Sequence, residues 1–275
     1  MTAPLAIVAG AGALPWEAAQ AVARRRPVIV FAIDREADPG PPGMEIHRLG
    51  YGQIGRMLKT MRERGCRELL FLGAIRSRPD YRRILGDVET LKLVPKIVRA
   101  VVGGDDTVVR NVLALFEAEG FRIVPVAEAV PELLVPEGRL GRHAPNPSHE
   151  EDIALGIRFL DAAAQFDIGQ AVVVVEGRIV AVEGAEGTDA MLARSAAVRT
   201  EKRVRARRGS GVLVKRAKRG QDMRADVPVV GAATVAGAER AGLGGIAIEA
   251  GRTILAERAA ATAAADRAGL FLVAL

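Results

Sequence analysis

The chain has 275 residues, enough for two domains or one large α/β domain. It is 49% hydrophobic but only 4% aromatic, which suits helices packed on strands and argues against an aromatic platform for single-stranded nucleic acid. The formal charge of +6 is local. Residues 199–220 hold ten Lys and Arg against one acid, Glu201, leaving 29 of the 39 basic and 32 of the 33 acidic residues elsewhere. That is one basic patch on a nearly neutral body, suited to an anionic small molecule, an anionic membrane surface or nucleic acid.

The single cysteine, Cys66, excludes an internal disulfide and a cysteine-based zinc site, and it fits a reducing cytoplasm. It follows a helix end at Gly65 and precedes an apolar run, so it reads as core filler. The amino terminus lacks the basic region of a secretory signal, and no apolar run approaches the length of a bilayer span. The expected protein is soluble and cytoplasmic, meeting a membrane only at its surface.

In chain order, residues 5–9 predict a buried strand that runs through Gly10-Ala11-Gly12-Ala13-Leu14-Pro15 into a helix reaching Arg24. Pro15 suits a first helical turn, where its missing amide costs nothing. A second strand over 28–33 ends at Asp34, which completes the outline of a dinucleotide-binding unit. Pro15 stands where that fingerprint has its third glycine, so an NAD(P)-dependent oxidoreductase is a rival reading rather than the main one. The glycines still permit a tight turn whose amides approach another phosphate. After a Pro/Gly-rich loop over 38–43 come a helix over 54–64 and a buried strand over 69–72 ending at Gly73. Helices over 91–102 and 107–119 follow, then a strand over 121–126. Ligands of open α/β sheets gather beyond the carboxyl ends of strands, so Gly10, Gly12 and Gly73 are candidates to line one crevice.

Residues 130–149 contain four prolines and little periodicity, and mark the domain junction. The expected organisation is α/β throughout. A Rossmann-like domain with a mainly parallel sheet covers 1–132, a linker 133–149, and a catalytic domain with a mixed sheet and helices 150–275. The histidines, His47, His143 and His149, show no metal-triad spacing. The second half predicts a helix over 150–164, a hairpin over 171–182 around Glu176-Gly177, a strand over 212–214 and a helix through Ala241. A glycine-centred hairpin over 245–249 and 253–256, a helix to Ala268 and a last strand over 270–275 close the chain.

Two clusters carry chemistry. Glu183-Gly-Ala-Glu186-Gly187-Thr188-Asp189 is a glycine-bracketed loop entering a helix, with Thr188 or Asp189 as the expected N-cap. The first-turn amides behind Gly187 can face an anion. The second cluster, Lys215-Arg-Ala-Lys218-Arg-Gly-Gln221-Asp222-Met-Arg224-Ala-Asp226-Val-Pro228, crowds cations, an amide and carboxylates between two apolar runs. Oxygen ligands for Mg²⁺ beside Lys and Arg for phosphate oxygens are what phosphoryl chemistry needs. The plain alternative is a capped helix and a solvated basic loop.

Gly10-Ala-Gly12-Ala13-Leu14-Pro15, Asp167-Ile-Gly169-Gln170, Glu186-Gly187-Thr188-Asp189-Ala-Met-Leu192 and Lys215…Gln221-Asp-Met-Arg224-Ala-Asp226-Val-Pro228 stand in the order and spacing of one family. Over almost its whole length the chain resembles the LpxI family, the UDP-2,3-diacylglucosamine pyrophosphatases of lipid A biosynthesis. The resemblance implies a Mg²⁺-dependent hydrolase that cuts this lipid-linked UDP-sugar into UMP and 2,3-diacylglucosamine 1-phosphate (lipid X), held between two α/β domains. It puts the family's essential aspartate at Asp226, as metal ligand or water-orienting base, with Asp189 and Lys218 as further catalytic candidates. It implies substrate contacts at Gly10, Gly12, Ala13, Leu14, Gly73, Arg76, Gly169, Gln170, Gly187, Thr188, Asp189, Lys218, Gln221 and Arg224. Ala11 stands where glycine is common, and Val227 and Val229 replace bulkier or polar residues, without loss of a charged group. Residues 199–219 are expected to meet an anionic inner-membrane surface. A nucleic-acid-binding protein is the rival reading of that segment, and the lack of interleaved aromatics speaks against it.

Overall fold

The computed structural model describes residues 2–75, 90–91, 93–95, 97, 105–166, 168–201, 203–204 and 206–275. By packing, the chain forms two units, Met1–Pro131 with Asp222–Asp226, and Glu132–Gln221 with Val227–Leu275.

The first unit is built on a parallel sheet of five strands: β1 (Leu5–Ala9), β2 (Val28–Ile33), β3 (Glu45–Leu49), β4 (Glu68–Leu72) and β5 (Arg122–Ile123), in the order β3-β2-β1-β4-β5. Every residue of β1 is buried, so it reads as a continuous apolar run rather than an alternating one. Helices Ile54–Glu63 and Asp105–Ala118 close one core, in which Met57, Leu58 and Met61 meet Leu113, Phe116 and strand residues Ala6, Ile29 and Phe31. Burial in this core pushes the Cys66 thiol up to about 11, consistent with a packing role. Strand order reverses between β1 and β4, the position where sheets of this kind take ligands.

Two elements here differ from expectation. β3 has the pattern Glu-Ile-His-Arg-Leu, too polar to signal a strand. It is held by pairing with β2 and by His47 stacking on Phe31 at 5.4 Å. β5 is short because Pro125 ends it and becomes the N-cap of a helix over Val126–Ala129. Most of the helix expected over 91–102 lies outside the described residues.

The second unit carries a mixed six-stranded sheet, ordered β6-β13-β11-β9-β7-β8. The strands are β6 (Gly138–Arg139), β7 (Ala171–Val175), β8 (Arg178–Val182), β9 (Val212–Lys215), β11 (Gly245–Ile248) and β13 (Phe271–Ala274). β9, β11 and β13 run parallel, while β6, β7 and β8 pair antiparallel with their neighbours. Helix Pro147–Ala163 covers one face, with Ile153 against Val172, Val214 and Phe271. Helices Gly187–Thr200, Ala232–Arg240 and Arg258–Ala268 cover the other, through Met191, Leu192, Val235, Ala238, Ala261 and Ala265. The β7–β8 hairpin turns at Glu176 (φ 49°) and Gly177 (φ 75°), as its sequence predicts. The buried Asp152 carboxylate accepts both turn amides, at 3.0 and 2.7 Å.

The hairpin expected over 245–256 does not form. β11 has both edges taken by β9 and β13, so the next apolar run, β12 (Ile254–Leu255), pairs in parallel with β10 (Val229–Val230) as a separate two-stranded sheet. Residues 133–149, expected as linker, supply the edge strand β6 and the cap of the next helix, where Asn146 Oδ1 accepts from His149 N at 2.9 Å. Among the described residues no helix is long and apolar enough to cross a membrane.

Candidate functional site

In the first unit, Gly10, Gly12 and Gly73 come together at the carboxyl ends of β1 and β4, but the loop's own chain takes its amides. Gly10 N donates to Leu72 O at 2.8 Å, and Ala11 and Ala74 exchange bonds at 2.8 and 3.1 Å. Gly12 N donates to Asp38 Oδ2 at 2.7 Å. A Cβ on Gly10 would lie 2.6 Å from the Ala74 carbonyl oxygen, and one on Gly73 2.7 Å from the Gly10 carbonyl carbon. Close backbone approach therefore requires both glycines, and an anion reaching Gly12 would meet a carboxylate first. The Gly10, Ala11 and Gly12 amides are thus bonded within the first unit. Leu14 is buried at the start of helix Leu14–Ala23, which leaves the exposed Ala13 as the accessible end of the loop. Arg76 lies outside the described residues.

The second unit assembles a buried polar chain. Thr188 Oγ1 donates to Glu183 Oε1 at 2.6 Å and accepts from Lys215 Nζ at 2.8 Å. The other Glu183 oxygen accepts from Gln170 N at 2.9 Å, and the Glu183 carbonyl accepts from Gly169 N at 3.0 Å. Glu183, Thr188 and Lys215 are 7%, 9% and 7% exposed. A Cβ on Gly169 would collide with the Glu183 side chain, so the glycine lets the two segments close on each other. Three elements position the group: Glu183 directly follows β8, Lys215 ends β9, and Thr188 sits in the first turn of helix Gly187–Thr200. Of the candidate contacts, Gly169, Gln170 and Thr188 meet on Glu183, and Gly187 adjoins Thr188. Glu183 and Lys215, which hold them, open the two clusters of the sequence but are not among its candidate catalytic or substrate-contact residues. The available signal was two charged residues closing otherwise apolar strands. The expected N-cap at Thr188 or Asp189 is not found. Glu186 holds that position without a side-chain cap bond, its carboxylate paired with Arg194 at 2.6 Å, and Thr188 lies inside the first turn with its hydroxyl on Glu183 and Lys215. Asp189 is exposed in the same turn, where its charge complements the helix dipole.

The basic loop is braced from within. Lys218 N donates to Gln221 Oε1 at 2.7 Å and Gln221 N to Lys218 O at 3.2 Å, with the Gln221 side chain buried. Residues 222–226 then pack with the first unit. Arg224 binds Asp222 through Nε at 2.8 Å and Nη2 at 2.6 Å, and its Nη1 reaches Glu117. The Arg224 hydrogen bonds hold the Asp222 carboxyl below the usual carboxylate range against the opposing effect of burial, and Asp222 in turn raises the Arg224 guanidinium. Arg224 is therefore a fixed cation whose charge two carboxylates already balance. Asp226, half-buried, donates its amide to Asp222 O at 3.0 Å.

Among the described residues, no three His, Cys, Asp or Glu side chains group to hold a metal ion. Asp222 is held by Arg224 and Glu249 accepts from Ala217 N at 3.0 Å, while Asp226 closes the same loop. A Mg²⁺ ion needs no protein-only cage, since it keeps several waters and takes one or two carboxylates with substrate phosphate oxygens.

Much of the basic segment is scaffolding. Arg199 donates to the carbonyls of Arg207 and Ser210 at 2.6 and 2.9 Å, and burial lowers its guanidinium pKa. Arg216 pairs with Asp161 and Glu249, Arg219 with Asp161, and Arg203 with Glu201. Lys202 and Arg205 lie outside the described residues.

Comparison with known proteins falls on both units. The family model described as LpxI N-terminal domain matches residues 4–133, and that described as LpxI C-terminal domain matches residues 136–273. The chain is also 42% identical, over 273 residues, to the UDP-2,3-diacylglucosamine pyrophosphatase LpxI of Caulobacter vibrioides, covering 98% of this chain and 96% of that protein.

Proposed function

The chain belongs to the LpxI family, and on that premise we infer that it is a hydrolase of the diphosphate bond of UDP-2,3-diacylglucosamine, releasing UMP and 2,3-diacylglucosamine 1-phosphate in lipid A biosynthesis. The observation that carries this reading is the near-complete match across both units, which includes every cluster of polar chemistry described above. Purified protein is expected to release UMP from UDP-2,3-diacylglucosamine, followed by chromatography of the nucleotide product. Absence of UMP under all divalent-ion conditions would overturn the reading.

For the chemical step we propose attack of water on one phosphorus, oriented by Asp226, with Asp189 and Lys218 as accessory groups. Lys218 sits on a loop whose backbone Gln221 fixes, a preorganised position for a cation that balances phosphate charge. Mg²⁺ held by Asp226 and the substrate would neutralise charge on the non-bridging oxygens. Gly187 and Thr188 open a helix whose N-terminal end favours negative charge, although the Gly187 amide itself is taken by Gly184 O at 3.2 Å. Chelation is expected to remove turnover and Mg²⁺ to restore it; activity that persists in excess chelator would remove the metal from the scheme. Peripheral attachment through residues 199–219 rests on fewer charges than the sequence count suggests, since Arg216 and Arg219 are already paired with Asp161 and Glu249.

A further inference from the structure

Asp222 closes the segment that ends at Asp226 with both its main chain and its side chain. Its carbonyl accepts the amides of Ala225 at 3.2 Å and Asp226 at 3.0 Å, a single closed turn. Its carboxylate accepts three bonds from Arg224: the backbone amide at 3.1 Å, Nε at 2.8 Å and Nη2 at 2.6 Å. The last two are the parallel fork that fixes a guanidinium in orientation as well as in place. The Asp222 side chain is only 13% exposed, so water competes weakly for it. The far end of the guanidinium reaches Glu117 on helix Asp105–Ala118, 107 residues earlier in the chain. Ala225 packs against the first unit's core, to which Leu113 and Phe116 of that helix belong. An ion pair as exposed as Arg224–Glu117 contributes little to stability, so what the arrangement supplies is geometry.

We propose that Asp222, Arg224 and Glu117 are positioning residues for Asp226. They hold the turn that sets where its carboxylate stands, and Arg224 serves as a strut rather than as a substrate contact. The inference rests on the function proposed above, with Asp226 as the group that orients water, and reassigns Arg224 within it.

The test separates kcat from KM for UDP-2,3-diacylglucosamine in the full chain, with folding of each variant checked by circular dichroism. Asp222→Ala and Arg224→Ala are each expected to lower kcat by about ten- to a hundredfold, the cost of displacing a catalytic group by about 1 Å, with KM little changed. Loss of a substrate contact would raise KM instead. Arg224→Lys recovers little, because an ammonium cannot form the fork. The two alanines combined fall no further than the worse of them, since either one opens the same turn. In an Asp226→Asn background, Asp222→Ala lowers the residual single-turnover rate no further, which a general loosening of the fold would not reproduce. Glu117→Gln changes a part-exposed helix side chain and keeps the protein folded even where Asp222→Ala does not; it lowers kcat in the same direction by a smaller factor. Folded Arg224→Ala and Glu117→Gln enzymes with wild-type kcat, or a change confined to KM, would overturn the positioning while leaving the function intact. A wild type without turnover would overturn both.

Discussion

The two units hold polar groups at the carboxyl ends of their strands in opposite ways. In the first, the glycine loop after β1 consumes its own polarity: Gly10, Ala11 and Gly12 donate to Leu72, Ala74 and Asp38. In the second, Glu183, Thr188 and Lys215 are charged or polar side chains carried into the interior at comparable positions. A glycine-rich loop at a switch point is therefore insufficient sign of a phosphate site. Glycine serves close backbone approach as readily as it serves a ligand. A buried ammonium and carboxylate on one hydroxyl have no such cheap explanation, since neither is favoured over a well-packed apolar pair.

That contrast can be broken most decisively at the residue expected to do chemistry. Asp226→Asn is expected to lower kcat by about 10²–10⁴-fold, the range for removing a general base, with the circular dichroism spectrum unchanged. Activity within a few-fold of wild type would move the chemistry elsewhere. Next in size, Glu183→Ala should cost about 3–5 kcal/mol of stability, because it strands a buried ammonium and leaves the Gln170 amide without its acceptor. Urea denaturation reads this directly, and a change under 1 kcal/mol, on the order of a surface substitution, would show the chain to be solvated. Gly10→Ala comes third, at about 1–3 kcal/mol for overpacking against the Ala74 carbonyl. Gly12→Ala should cost less, about 1–2 kcal/mol from its φ of 98° alone, since nothing lies near its missing Cβ. Trp16, the chain's one tryptophan, sits in the helix that follows and reports both by fluorescence. The reverse order would mean that the backbone around Gly10 and Ala74 gives way more easily than the Gly12 turn.

The smallest effect concerns acid. The Asp222 carboxyl is held down by Arg224, so its contribution to stability is present above the unfolded aspartate value, about 3.9, and is lost as pH falls through the lower folded value. Arg224→Gln should raise the acid midpoint of unfolding by a small amount. No shift would mean that Asp222 is held by other groups.

Sequence by itself determined the opening strand–loop–helix–strand order of the first unit, the β7–β8 hairpin and the clustering of charged and polar residues in 183–189 and 215–228. Apolar runs, glycine pairs and charge density are local signals, legible without a partner. It could not determine where β12 pairs, because β11's two edges are filled by strands distant in the chain. Nor could it tell that residues 222–226 pack with the first unit, or that the Thr188 hydroxyl faces a carboxylate and an ammonium rather than capping its helix. Those outcomes depend on which groups meet across 5 and 27 residues of sequence, and only the tertiary fold decides which competing hydrogen bond a side chain makes.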